Sequence, residues 1–71
     1  MYIGLIKDES SETITLDVNT LHADGSICKT LFVCDKNTIW RHTNKAAYVD
    51  GYIIPSNQKN VFFLKRENKD A

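Results

Sequence analysis

The chain has 71 residues, of which 42% are hydrophobic and 25% are charged, and its formal net charge at pH 7 is zero. This size and composition predict a single folded domain and exclude an intrinsically disordered chain. No apolar run approaches the ~18 residues of a membrane span. The first residues also lack the basic start and apolar stretch of a signal peptide. We therefore expect a soluble, cytoplasmic protein.

The zero net charge is distributed unevenly along the chain. Residues 1–35 carry two lysines against six acidic residues, a net charge of −4, and residues 36–71 carry seven basic against three acidic residues, a net charge of +4. Such asymmetry indicates either a basic binding face or two halves that face each other, within one fold or between two chains. We favour the second interpretation.

The first two predicted strands cover residues 2–7 and 12–19. In the second, Ile14, Leu16 and Val18 alternate with polar residues. That alternation is typical of a strand with one buried and one solvated face. The polar residues between the two strands indicate that they form a hairpin.

Two further strands are predicted in the middle of the chain. A turn at residues 23–26 follows the second strand, and Gly25 provides it with a backbone of positive φ. Residues 27–34 form the third predicted strand. A second turn at residues 35–37 leads to a short fourth strand over residues 38–42.

The last part of the chain predicts a fifth and a sixth strand. The fifth covers residues 46–54, and the dipeptide Asp50-Gly51 is the candidate break in it, because Asp-Gly is favoured in two-residue type I′ hairpins. Pro55 has no backbone N–H to donate and is expected to end this strand. The sixth strand covers residues 61–66.

Five or six short strands separated by turn signals predict an all-β fold. It is either a small curled antiparallel sheet or a small barrel of the SH3 or OB type. A closed barrel is favoured because a flat sheet leaves both edges open to aggregation. The domain is expected to cover residues 1–66, with residues 67–71 as a disordered polar tail. The pattern leaves open whether residues 43–49 form a helical turn.

Several strands carry apolar residues on both faces. In the third strand, Leu31 and Val33 lie on the face opposite Phe32, and in the sixth, Phe63 lies opposite Phe62. No predicted helix covers a second face, so part of that face must be exposed or covered by another molecule. Which face is the interior is not determined by the pattern.

The residues that carry chemistry are too dispersed to predict a catalytic or metal site. Among His22, Cys28, Cys34 and His42 there is no close pair of the kind that zinc sites use. The two cysteines of the third strand lie about 20 Å apart in an extended chain, too far for a disulfide, and are expected to be free thiols. Asp35 beside Cys34 opposes formation of a thiolate. We predict no enzymatic activity, no metal ion and no cofactor.

The predicted function is a non-enzymatic protein-binding or assembly module, which pairs with itself as a homodimer or binds an unidentified protein. Aromatic residues and arginine dominate the energetics of such interfaces. The predicted interface residues are Phe32, Trp40, Tyr52, Phe62, Leu64 and Arg66. The composition, rich in Asn, Lys and Ile, is typical of AT-rich genes, which include many phage and mobile-element accessory proteins.

The alternative is a small β-barrel that binds single-stranded nucleic acid. Such proteins stack bases on surface aromatic rings and contact phosphates through Lys and Arg. The residues predicted for this role are Trp40, Arg41, Lys45, Tyr48 and Lys65. The zero net charge and the absence of a recognisable nucleic-acid-binding motif make this the second choice.

Overall fold

A computed structural model describes residues 2–66 of the chain. These residues form seven strands and one 3-10 turn over Lys36–Thr38. The strands are β1 (Tyr2–Glu9), β2 (Thr13–Leu21), β3 (Ile27–Asp35), β4 (Ile39–His42), β5 (Ala46–Val49), β6 (Tyr52–Pro55) and β7 (Val61–Lys65). The all-β prediction is confirmed. The predicted tail at residues 67–71 lies outside the described residues.

The strands form one sheet in the order β4-β5-β1-β2-β3-β7-β6. Neighbouring strands are antiparallel, except that β3 and β7 run parallel. β5 lies near one end of this order and β6 at the other, yet only two residues connect them. The Cα atoms across such a link are at most about 11 Å apart. The two ends of the sheet must therefore approach each other, and the sheet curls into a half-barrel.

The strand predicted over residues 46–54 is interrupted at Asp50 and Gly51, as predicted, but these two residues do not form a hairpin turn. The two strands do not pair with each other, and among the described glycines only Gly25 has a positive φ. A type I′ turn needs positive φ at both central residues. Instead, the Asp50 N–H donates to the Thr38 carbonyl at 2.9 Å. A Cβ on Gly51 would collide with the Lys65 carbonyl oxygen, so the close approach to β7 requires glycine here.

This break also explains the strand count of seven, since the predicted fifth strand is divided into β5 and β6. Within residues 2–66, β4 and β6 form the two ends of the sheet and do not pair with each other. The favoured closed barrel is therefore corrected to a half-barrel.

The inner face of the half-barrel carries the core. Ile14 and Leu16 point to this face, and the register places them opposite Cys34 and Phe32 of β3. The fully buried core residues, each at most 1% exposed, are Ile14, Leu16, Cys34, Ala47, Val49 and Leu64. The alternation predicted for β2 is confirmed, since Ile14 and Leu16 are buried and Val18 packs partly buried against the core.

β2 and β3 continue beyond their neighbours as a two-stranded arm, residues 18–30. Within this arm the two strands pair only with each other, up to Leu21 and Ile27 at the tip. Gly25 closes the connecting turn with a φ of 87°, as predicted. The two tip side chains are 72% and 66% exposed, so the tip of the arm adds little to the core.

Residues 43–49, which the sequence left open, form a loop followed by β5. The Thr43 Oγ1 accepts hydrogen bonds from the backbone N–H groups of Lys45 at 3.3 Å and Ala46 at 3.0 Å. This side chain shapes the turn, and pairing of β5 with both β1 and β4 then holds the segment extended.

Candidate interaction surface

The outer face of the half-barrel carries exposed apolar side chains at β1. Ile3 and Leu5 lie on the side opposite the buried Gly4, and they are 50% and 59% exposed. Across the strand pair, Ile3 lies opposite Tyr48 and Leu5 opposite Ala46 of β5. Directly opposed residues share a face of the sheet, so these four side chains form adjacent rows on the outside.

β4 adds an aromatic and cationic cluster to this surface. Its register with β5 pairs Ile39 with Val49 and Arg41 with Tyr48, so Trp40 is the extra residue of a bulge. The ring centroids of Trp40 and Tyr48 are 5.4 Å apart, and the Arg41 guanidinium carbon lies 5.7 Å from the Tyr48 centroid. The bulge thus places two successive residues around one tyrosine, and Trp40 remains 56% exposed.

We call Ile3, Leu5, Trp40, Arg41 and Tyr48 the outer patch. Its members are connected by the strand registers and by the ring contacts. Contiguous exposed apolar surface of this kind marks interaction sites in soluble proteins. Tryptophan, tyrosine and arginine are also the residue types that contribute most to binding energy at interfaces.

The six residues predicted as an interface do not form one surface. Phe32, Phe62 and Leu64 lie on the inner face, where the ring centroids of Phe32 and Phe62 are 5.7 Å apart. Leu64 is fully buried, which corrects its predicted place in an interface. Its register opposite Cys34 aims it into the core. Phe32 also stacks on Tyr2 at 5.9 Å, which makes these aromatic residues an inner-face row.

The other three predicted interface residues are on the surface but at separate places. Trp40 belongs to the outer patch. Arg66 lines a shallow cleft beside Trp40, together with residues of the 3-10 turn. Tyr52 lies on the outer side of β6, at the opposite end of the strand order, and is 49% exposed.

Of the residues predicted for nucleic-acid binding, the structure brings together Trp40, Arg41 and Tyr48. Lys45 lies just before β5, at the end of the strand away from Tyr48. Lys65 lies on β7, with its Nζ 3.3 Å from the Asp35 Oδ1. The two lysines are therefore not part of the aromatic cluster.

The ionic contacts at one rim of the sheet are structural. The Lys36 Nζ lies 2.9 Å from the Glu9 Oε2, and the His42 Nε2 lies 3.6 Å from the Glu9 Oε1. The hydrogen bond and charge of Lys36, with a smaller contribution from His42, lower the pKa of Glu9 from its ordinary value. These groups connect β1, β4 and the 3-10 turn, and all three side chains are exposed to solvent.

Both thiols are free, and the buried one is poorly suited to nucleophilic chemistry. Burial, and to a lesser extent the neighbouring charge of Asp35, raise the pKa of Cys34 to about 11. A thiol with this pKa is protonated at neutral pH, and the thiolate is the reactive form. Cys28 lies half-buried in the arm.

A second feature of the outer face was missed by sequence reasoning. It is a shallow cleft, here named the lysine cleft, whose lining comes from β1, β2, β3, β7 and the loop before β7. Its lining residues are Lys7, Asp17, Lys29, Leu31, Lys59, Asn60 and Val61. The Asp17 Oδ1 is buried and has no hydrogen-bond partner among the described residues. The alternation in β2 predicts that Asp17 lies on the solvated face of the strand, but only the strand register shows which residues surround it.

Neither a metal centre nor a membrane-spanning helix is found within residues 2–66. No group of three or more His, Cys, Asp or Glu side chains there is arranged to hold a metal ion. No helix in that range is long and apolar enough to cross a membrane.

Comparison with known proteins identifies no relative of this chain. No protein-family model matches it, no curated protein matches it, and no solved structure matches its fold.

Proposed function

We propose that this chain is a non-enzymatic assembly module that pairs with a second copy of itself through the outer patch. The observation that carries the proposal is the exposure of three large apolar side chains in one connected surface. Ile3 is 50%, Leu5 59% and Trp40 56% exposed. In a chain without a second layer, nothing among residues 2–66 covers them.

The size and charge of the chain support a second copy as the partner. A domain of 71 residues buries only roughly 60% of the surface that its unfolded chain exposes, so burial of more apolar surface by association adds needed stability. Its formal net charge is zero, so identical copies do not repel each other at long range. Arg41, packed against Tyr48, provides a polar rim to an otherwise apolar contact.

The molar mass in solution, measured by size exclusion with light scattering at low and high salt, tests the proposal. We expect a dimer at both salt concentrations. Leu5→Asp should weaken association by roughly tenfold or more, because it buries a charge without a partner at the contact. Circular dichroism should show that the variant remains folded, since Leu5 lies outside the core.

Leu21→Asp is the matched control. It makes the same change at an exposed leucine of the arm, outside the outer patch. Association that is unaffected by Leu21→Asp and lost with Leu5→Asp supports the patch. A monomeric wild-type chain at both salt concentrations overturns the homodimer, and a dimer that survives Leu5→Asp overturns this interface.

The second candidate function is binding of single-stranded nucleic acid, favoured by the Trp40, Tyr48 and Arg41 cluster. An exposed indole beside a tyrosine and a guanidinium is the arrangement on which unpaired bases stack. Binding should quench the fluorescence of Trp40, the only tryptophan, and weaken steeply with salt. Unchanged fluorescence with an oligonucleotide at low salt excludes this function. Dissociation of the dimer would not show the same salt dependence, because the dimer is expected at both low and high salt.

A further inference from the structure

We propose that the lysine cleft binds a phosphorylated sugar, with the phosphate held by its lysines and a sugar hydroxyl donating to Asp17. This goes beyond the proposed assembly function, because the cleft uses other residues than the outer patch. The ligand chemistry is a phosphate group with a neighbouring hydroxyl. It is offered by a free sugar phosphate or by a nucleotide of an RNA strand.

The net positive charge of the cleft favours an anionic ligand. The described ion pairs involve Lys36, His42 and Lys65, so Lys7 and the other two cleft lysines have no acidic partner among the described residues. Three lysines and one aspartate give the cleft a net charge of +2. A phosphate monoester carries about −1.5 to −2 charges at neutral pH, which matches this value.

The buried oxygen of Asp17 requires a hydrogen-bond donor. Its cross-strand neighbours are Leu5 on one side and Leu31 on the other, and neither side chain can donate. A buried acceptor without a donor is costly to a folded chain. Inorganic phosphate can offer Asp17 only a hydroxyl on the same charged group that the lysines hold. A sugar phosphate offers an uncharged hydroxyl away from its phosphate, so separate groups satisfy the carboxylate and the lysines.

The backbone at Asn60 supports a ligand site at the same place. Asn60 has a φ of 61°, in the left-handed region that is uncommon for residues other than glycine but that asparagine adopts more readily than most. Its carbonyl oxygen accepts a hydrogen bond from the Leu31 N–H at 2.9 Å, which holds this conformation at the start of β7. Uncommon backbone conformations of this kind cluster at ligand sites. The Asn60 amide adds a neutral donor for a phosphate oxygen.

The test titrates ribose 5-phosphate, inorganic phosphate and unphosphorylated ribose into the isotope-labelled chain and follows amide chemical shifts. We expect ribose 5-phosphate to bind about tenfold more tightly than inorganic phosphate, because a hydrogen bond to a buried carboxylate adds to the phosphate contacts. Ribose alone should not bind measurably. Equal affinity for the two phosphates, or no shifts at cleft residues, overturns the proposal.

Asp17→Val isolates the role of the carboxylate. It should raise the affinity for inorganic phosphate, since a negative charge is removed, and reduce the preference for ribose 5-phosphate to less than about twofold. A preference that persists in Asp17→Val overturns the assignment of the hydroxyl to Asp17. A merely structural Asp17 would leave the preference unchanged.

Lysine variants test the phosphate contacts, and polymer ligands distinguish a free sugar phosphate from a nucleotide of an RNA strand. Lys59→Ala should weaken both phosphates several-fold, and Lys45→Ala, an exposed lysine outside the cleft, is the matched control. An RNA strand is identified as the source if oligouridine binds more tightly than ribose 5-phosphate and more tightly than oligothymidine. The preference for oligouridine over oligothymidine should then depend on Asp17. Equal or weaker binding of the oligonucleotide identifies a free sugar phosphate. Loss of binding in Lys45→Ala but not in Lys59→Ala overturns the site.

The two proposals have separate readouts, although Leu5 of the outer patch is a cross-strand neighbour of Asp17 in the cleft. Leu5→Asp tests the outer patch through the molar mass, and the phosphate titrations test the cleft through chemical shifts. Failure of one proposal therefore leaves the other measurable.

Discussion

The inner and outer faces of the half-barrel are built from the same strands and similar residue types. On the inner face, Leu16 and Leu64 are at most 1% exposed, whereas on the outer face Leu5 is 59% and Ile3 50% exposed. Residue type alone does not explain this difference, since Ile3 and Leu5 of β1 are as apolar as the residues of the core. The difference arises because the curl of the sheet encloses one face and no second layer covers the other.

This comparison separates folding from binding within one small sheet. The inner face supplies the buried apolar surface on which stability depends. The outer patch contributes little to stability in a single chain, so its apolar character is available for association. This division of the two faces can be tested by substitutions on each of them.

Equivalent leucines on the two faces should respond very differently to truncation. Leu64→Ala should lower the free energy of unfolding by about 2–5 kcal/mol, because it leaves a cavity in the core. Leu5→Ala should change it by about 0.5 kcal/mol or less, as expected for a surface site. Urea denaturation followed by circular dichroism measures both, at a protein concentration where the chain is monomeric so that association does not contribute.

Similar losses in these two variants would contradict the division of the faces. A domain of this size has only a few kcal/mol of stability, so Leu64→Ala is expected to be partly or fully unfolded. Leu64→Met, which nearly conserves the volume, then provides a folded comparison with a cost below about 1.5 kcal/mol.

The free energy of unfolding should also fall at alkaline pH, because the thiol of Cys34 is buried on the inner face. Burial raises the pKa of Cys34 from 9.0 to about 11, so the folded chain binds its thiol proton more tightly than the unfolded chain. The contribution is complete below pH 9 and is lost as the pH rises through 11, with a total of about 2–3 kcal/mol. Denaturation midpoints between pH 8 and 11 measure this loss.

Cys34→Val is the control for that experiment, since it removes the ionisable group but keeps an apolar side chain of similar size. Lysines and tyrosines titrate in the same range, so the difference between the two chains is the relevant quantity. If the wild type and Cys34→Val lose stability in parallel, the buried thiol is not the cause.

The smallest expected effect is a gain in stability on the outer face. Asp17→Val removes a buried oxygen without a donor and introduces a residue with high strand propensity, so the free energy of unfolding should rise by about 1 kcal/mol. Thr15→Val, on the same face of β2, controls for propensity and added apolar surface. An equal gain in both variants would show that the Asp17 oxygen carries no penalty.

The fold was predictable where the residue pattern of a single strand shows which of its two faces is buried. The alternation of Ile14, Leu16 and Val18 predicted both a strand and its buried side, and the turn at Gly25 followed from local backbone requirements. β3 and β7 carry apolar residues on both faces, so the inward side of β3 is set by its register with β2, and that of β7 by its parallel pairing with β3. That pairing joins segments far apart in sequence, and no local pattern encodes it.

The outer surface was predicted only in part, for the same reason. Trp40, Arg41 and Tyr48 were identified as candidates from their residue types, but their contact depends on the β4 bulge. Leu64 was assigned to an interface because the sequence did not distinguish the faces of β7. The environment of Asp17 depends on neighbours from β1 and β3, which periodicity within β2 does not describe.

The strand order has a consequence for how the chain folds during synthesis. The β2–β3 hairpin is local and is complete early, but its inner face is covered by residues of β5 and β7, which are synthesised later. Until β7 pairs in parallel with β3, Leu16 and Cys34 on a nascent chain have no Leu64 to pack against. Parallel pairing of strands that are far apart in sequence is slow. We therefore expect docking of β7 to be the step that completes the core, and a chain that lacks β7 to keep an unprotected apolar sheet.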